Sequence, residues 1–175
     1  TVDHGGVPKP NDDLDIQLLW LIAMERQGIN VSSETLSEYW CNFLTPHWVE
    51  YGTSKANMRL GLPAPLCGSH NNPYKHSCGA FIRSEIWACV CPAEPKLAVE
   101  YAYKDAIIDH GDGEGVYAEI FCAALEAAAF VISDLNALFD IGLSYIPEDC
   151  AVAQATRLAR TLYAEGVQWQ EARHE

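Results

Sequence analysis

Positive charge is scarce in this chain. Eleven lysines and arginines stand against 24 aspartates and glutamates, giving a net charge of −13 and a pI near 4.7. A nucleic-acid binder carries a basic face, so that class is excluded. An anionic membrane surface would repel the chain for the same reason. Long apolar runs are missing too. None approaches the ~20 residues needed to span a bilayer, and residues 1–10 lack the apolar core of a secretory leader. Alternating apolar and polar residues, the mark of a half-buried strand, are also absent. The seven cysteines are odd in number and irregular in spacing. They do not read as a disulfide framework, and a reducing, cytoplasmic compartment is expected.

About half of the 175 residues are apolar, enough for the core of one domain. The pattern centres on Asp109-His110-Gly111-Asp112-Gly113-Glu114-Gly115. Upstream, Leu97, Tyr101, Lys104 with Asp105, and Ile108 recur at helical spacing. Downstream, Val116, Ile120, Ala124, Ala127 with Ala128, and Val131 do the same. The glycines open backbone conformations closed to other residues. One imidazole and three carboxylates are thereby gathered where a core helix begins. Two readings compete locally: a capped helix–helix turn, and an anion site built on free helix N–H groups.

Asn11 predicts a helix N-cap, and Asp12, Asp13 and Asp15 suit the positive end of that helix, which should run to Gly28. The same acids are hard oxygen ligands on a rigid helix end, the kind a divalent cation takes. Ser32 or Ser33 should cap a second helix that Pro46 stops. Trp48 should open a short piece, with 55–59 helical. Residues 61–77 form the longest irregular stretch, and a loop of that length usually has a task. It holds Cys67-x-x-His70 and His76-x-Cys78, zinc ligand types at a spacing that matches no closed site. Residues 79–90 should form one helix, with Arg83 in a surface ion pair beside Glu85. Further helices are expected at 95–109, 114–132, 135–143 and from Pro147 onward, with 168–175 fraying. The expected architecture is all-α, an orthogonal multi-helix domain packed around 114–132.

Three stretches then resemble one known family in the right order. Asn11-Asp12-Asp13-Leu14-Asp15 is similar to a Thr-Asp-Asp-Thr metal motif. Cys78-Gly79-Ala80-Phe81-Ile82-Arg83 is similar to a Gly-x-x-Met-Arg helix start. Residues 102–130, with Asp105, His110-Gly111 and Gly115-Val116-Tyr117, are similar to a central helical hairpin. The chain thus resembles the ADP-ribosylglycohydrolase family, which includes dinitrogenase reductase activating glycohydrolase. Leu14 replaces the motif's second Thr, and Phe81-Ile82 replaces x-Met. No Asp-x-Asp-Thr, the family's second metal motif, follows Phe130.

The resemblance implies an all-α fold and hydrolysis of the glycosidic bond joining ADP-ribose to a protein side chain or a small acceptor. It implies Mg²⁺, or Mn²⁺ in some members, with two ions in a complete domain. Asn11, Asp12 and Asp13 are its metal residues; Ser77, Cys78, Gly79, His110 and Gly111 are its ADP-ribose residues. It assigns no catalytic residue, because the family's acidic one lies upstream. Residues 1–175 are therefore expected to form a single partial domain, truncated at both ends, with a partner chain or missing segments completing it. The expected partners are ADP-ribosylated proteins or small ADP-ribose conjugates, with neither nucleic acid nor membrane. The alternative is a non-catalytic ADP-ribose-binding or structural relic of the same fold.

Overall fold

A computed structural model describes residues 11–45 and 49–174. The expected loop at 1–10, the Pro46 stop and the Trp48 start lie outside the described residues. Ten α-helices and no strand are present among the described residues: α1 Asp12–Gln27, α2 Ser33–Phe43, α3 Val49–Arg59, α4 Leu66–Ser69, α5 Glu85–Val90, α6 Pro95–Asp109, α7 Glu114–Ala128, α8 Leu135–Leu143, α9 Ala151–Ala164 and α10 Trp169–Ala172. A 3₁₀ turn, Phe81–Arg83, precedes α5. The fold is all-α.

The α6–α7 hairpin is the most extensive packing in the molecule. Helices α2, α3 and α4 lie against α6; α8, α9 and the 3₁₀ turn lie against α7, and α5 touches both. Two buried clusters result. One gathers Trp20, Trp40, Trp87, Leu36, Tyr51 and Ile108 under α1. The other gathers Val116, Ile120, Phe121, Ile107 and Ile146 at the far side of the hairpin. Trp87 stacks on Tyr101 with ring centroids 5.5 Å apart, a geometry that adds to simple burial.

Local chemistry sets several boundaries. Asn11 caps α1, its side chain accepting from the Asp13 N–H at 2.8 Å. Ser32 caps α2 in the same way, and Asp134 caps α8. Two expected helices are shorter than the sequence predicts. Residues 79–90 do not form one helix, because the Ser84 hydroxyl donates to the Phe81 carbonyl at 2.9 Å and tightens the chain there. Helix α7 stops at Ala128, not Ile132. The Ala127 carbonyl turns aside to the Ala93 N–H at 2.9 Å, and Phe130 and Val131 are exposed with nothing to pack on.

The long loop braces the hinge. Asn72 Nδ2 donates to the Gly68 and Asp109 carbonyls, each at 2.7 Å. Asn57 Nδ2 donates to the Cys67 and His70 carbonyls, each at 2.8 Å. Gly68 lies so close that a Cβ there would stand 2.4 Å from the Gly111 nitrogen. From the other side, the Glu114 carboxylate accepts from the Ala151 and Val152 N–H groups at 2.9 and 3.0 Å. It therefore caps α9 from the hinge. No described helix is long and apolar enough to cross a membrane.

Candidate functional site

Arg83 is the residue the sequence reading misplaced. It is fully buried and makes no surface pair with Glu85. Its Nη1 and Nη2 donate to the two Asp109 oxygens at 3.0 and 2.7 Å. Nη2 also donates to Asp105 Oδ1 at 2.9 Å, and Nε reaches the same carboxylate. The reason is compensation: two aspartates on the inner face of α6 enter the core, and a buried carboxylate needs a cation or several donors. Trp20 and Trp87 supply the further donors, their indole N–H groups reaching Asp105 Oδ2 at 2.8 and 3.0 Å.

Burial would raise the Asp109 carboxyl, but the Arg83 charge, His110 and their hydrogen bonds overcome it and hold it well below the usual carboxylate range. Burial likewise works against the Arg83 charge and is outweighed by Asp105, Asp109 and Glu119, so the guanidinium stays charged. Glu119 goes the other way. Burial and then the Asp105 charge push it well above its ordinary value. Trp87 Nε1 donates to its Oε1 at 3.1 Å.

This network fixes His110. The imidazole Nδ1 lies 3.0 Å from Asp109 Oδ1, though off the line a good hydrogen bond needs. Gly115 makes room for the ring: a Cβ there would stand 2.0 Å from His110 Cδ2. The ring is fully buried, and its Nε2 points outward to the Ser77 hydroxyl at 3.4 Å. Ser77 is half-buried and Cys78 exposed. Gly111 has φ +69° and packs on Ser69, so it shapes the hinge from inside.

The α1 acids connect to the same place. Tyr51 Oη donates to the Gly79 carbonyl at 3.2 Å and lies 3.5 Å from Asp12 Oδ2. The Gly79 carbonyl also accepts from Arg83 Nη1. A continuous polar path thus runs from Asp12 through Tyr51, Gly79 and Arg83 to Asp109, His110 and Ser77. Beside it, Glu50 is only 3% exposed. Its carboxylate lies over Gly79, where a Cβ would stand 2.0 Å from Oε1, and Oε2 has no partner.

Asp13 lies on the cavity side of the same helix start. With Asn11 it borders a cavity of about 640 Å³ whose far walls carry Phe81, Ile82, Glu85 and Glu126. Asn11, Asp12 and Asp13 are hard oxygen donors of the type Mg²⁺ takes. Among the described residues, however, no three His, Cys, Asp or Glu side chains are grouped closely enough to hold a metal ion unaided. Cys67, one of the zinc-type residues, is buried with its thiol donating to the Ile108 carbonyl at 3.0 Å.

Sequence reasoning did not single out Glu50, Tyr51, Glu119 or Glu126 for this region. A signal existed for two of them. Glu119 and Glu126 are seven residues apart in the apolar, Ala-rich α7, the spacing of one helix face. Carboxylates on an otherwise apolar face call for a buried partner or a task.

Neither the curated proteins nor the solved structures contain a match to this chain. The family description ADP-ribosylglycohydrolase matches residues 3–175. With a match over nearly its whole length, on a helical fold, the chain belongs to the ADP-ribosylglycohydrolase family.

Proposed function

We propose that this protein hydrolyses the glycosidic bond between ADP-ribose and a protein side chain or small acceptor, with Mg²⁺ or Mn²⁺ held at the start of α1. The observation that carries the reading is the polar path from Asp12 to Ser77, spanning segments far apart in sequence. Asn11, Asp12 and Asp13 are the residues that would hold the metal. The rest of a six-oxygen shell falls to water and to substrate. When bound, the metal would orient ribose hydroxyls and acidify a water molecule.

The chain's own groups supply the rest. Breaking the ribosyl bond develops positive charge on the sugar, which carboxylates at the α1 start stabilise. Ser77, Cys78 and Gly79 offer a hydroxyl and backbone groups to the ADP-ribose moiety. His110 and Gly111 act from beneath, fixing the Ser77 hydroxyl and the hinge. Asp12 or Asp13 can accept a proton from the attacking water.

Calorimetry with ADP-ribose and Mg²⁺ tests this reading, together with turnover of ADP-ribosyl-arginine. The D12N/D13N variant is expected to lose at least ~10-fold in ADP-ribose affinity with Mg²⁺ present, because two ligands of a hard-cation site are gone. Equal affinity in parent and variant would remove the proposal. A second reading, ADP-ribose binding without hydrolysis, is favoured by one observation. No group of three metal-capable side chains is assembled among the described residues. Tight binding with no turnover by the parent would select it.

A further inference from the structure

The cavity beside Asp13 contains a carboxyl group that the metal and ADP-ribose readings leave unused. Glu126 lies on the inner stretch of α7, half-buried, on the wall opposite α1. Its position is fixed: the Ser84 hydroxyl lies 3.2 and 3.0 Å from Oε1 and Oε2. No cation is paired with it among the described residues. The groups that face it are Glu85 on α5, Cys122 one turn back on α7, and Asp13 with Gln17 across the cavity on α1. The Gln17 amide donates to Glu85 Oε2 at 3.0 Å, which leaves Glu126 with Ser84 alone. Phe81, Ile82 and Leu14 make the remaining wall apolar.

We propose that Glu126 is the general acid of this site, giving its proton to the acceptor atom as the ribosyl bond breaks. The proposal rests on the hydrolytic reading above. It adds a catalytic residue to it, one that the resemblance does not name. The geometry suits the role. Asp13 borders one side of the cavity and Glu126 the other, so a bound conjugate can have its ribose near the α1 acids and its acceptor near Glu126. The environment suits it as well: burial raises the Glu126 carboxyl to about 7, the opposing Ser84 hydrogen bond coming next and a weaker push from the Glu85 charge last. An acid that keeps its proton near neutral pH is the kind a leaving group needs. Cys122 does not compete, since burial and then the Glu126 charge push its thiol to about 12. The balance closes. The C–N or C–O bond breaks, the departing atom takes the Glu126 proton, water adds its oxygen to the ribosyl carbon, and the proton that water loses restores Glu126 through solvent.

The test compares the parent with E126Q on two ADP-ribosyl substrates with Mg²⁺: ADP-ribosyl-arginine, and a nitrophenyl glycoside whose leaving group needs no proton. General-acid catalysis typically contributes 10²–10⁴-fold. E126Q is therefore expected to lose about 100-fold or more in kcat on the first substrate and little on the second, with ADP-ribose affinity unchanged. The parent's kcat should fall as pH rises past about 7 and E126Q should lack that limb. Equal losses on both substrates, or no loss on the first, would overturn the assignment. Infrared titration of the Glu126 carboxyl, identified by its absence in E126Q, keeps the two proposals separable. A carboxyl proton still present at pH 6 and displaced in titration by ADP-ribose supports the role. Ordinary titration near 4.5 overturns it. If the parent turns over neither substrate, the hydrolytic reading fails instead, and the general-acid assignment with it.

Discussion

The two acidic centres of this protein meet opposite fates. Around Arg83, three carboxyl groups are buried with one guanidinium and two indole N–H groups, and almost every oxygen has a donor. At the start of α1, Asp12 and Asp13 are half-buried, and no cation pairs with either among the described residues. One set of acids is satisfied by the fold, and the other is held ready by it. The distinction separates carboxylates that build the scaffold from carboxylates free to meet a ligand, although Asp12 and Asp109 belong to one polar path.

Breaking the buried centre should have the largest effect. R83M leaves Asp105 and Asp109 charged and unpaired in the core. Removing one partner of a buried pair costs about 3–5 kcal/mol, so urea denaturation should show a severely destabilised or unfolded chain. The matched loss at the rim is D12N/D13N, which should leave stability nearly intact while affinity falls. Should R83M fold as well as the parent, the division between scaffold and rim fails.

A smaller perturbation asks whether the scaffold aims the rim. G115A forces a methyl group into the space of the His110 ring. Overpacking of this kind costs about 1–3 kcal/mol, visible in denaturation. It should also move the imidazole off Ser77 and weaken ADP-ribose binding beyond what the stability change explains.

The smallest effect is a pH dependence. Glu126 has an ordinary value of 4.5 and is raised to about 7 in the fold. The folded chain therefore keeps a proton that the unfolded chain has already released. Its Glu126 contribution to stability is fully present below about 4.5 and is lost as pH climbs through 7. E126Q cannot titrate there, so the parent's Tm should drop relative to the variant across that window. About 2–4 °C is expected per kcal/mol for a chain of this size, and solvent screening at the rim limits the total. Parallel Tm curves for the two proteins would place Glu126 outside the titrating set.

Local features were legible in the sequence. Asn11 and Ser32 each cap the helix they precede, because a cap depends on a side-chain oxygen within three residues of its donor. The expected helix at 135–143 is α8, Leu135–Leu143. The resemblance carried the family, and it named Asn11, Asp12, Asp13, Ser77 and His110. What escaped was long-range. Arg83 finds its partners 22 and 26 residues away, on a helix whose inward face reads as apolar with charges interspersed. Glu50 reaches Gly79 only through the packing of α3, and Glu126 meets Ser84 across 42 residues. The ends of α5 and α7 depended on a hydroxyl and a carbonyl diverted to other partners, which no helical periodicity encodes.

The stitching of Gly68 to Gly111, and of Gly115 beneath His110, leaves those places without spare volume. Variation should therefore be channelled. A library of random substitutions ought to tolerate many changes at exposed Leu18 or Leu21 and almost none at these glycines. The polar rim could then be retuned to a different conjugate many times over on one unyielding hinge.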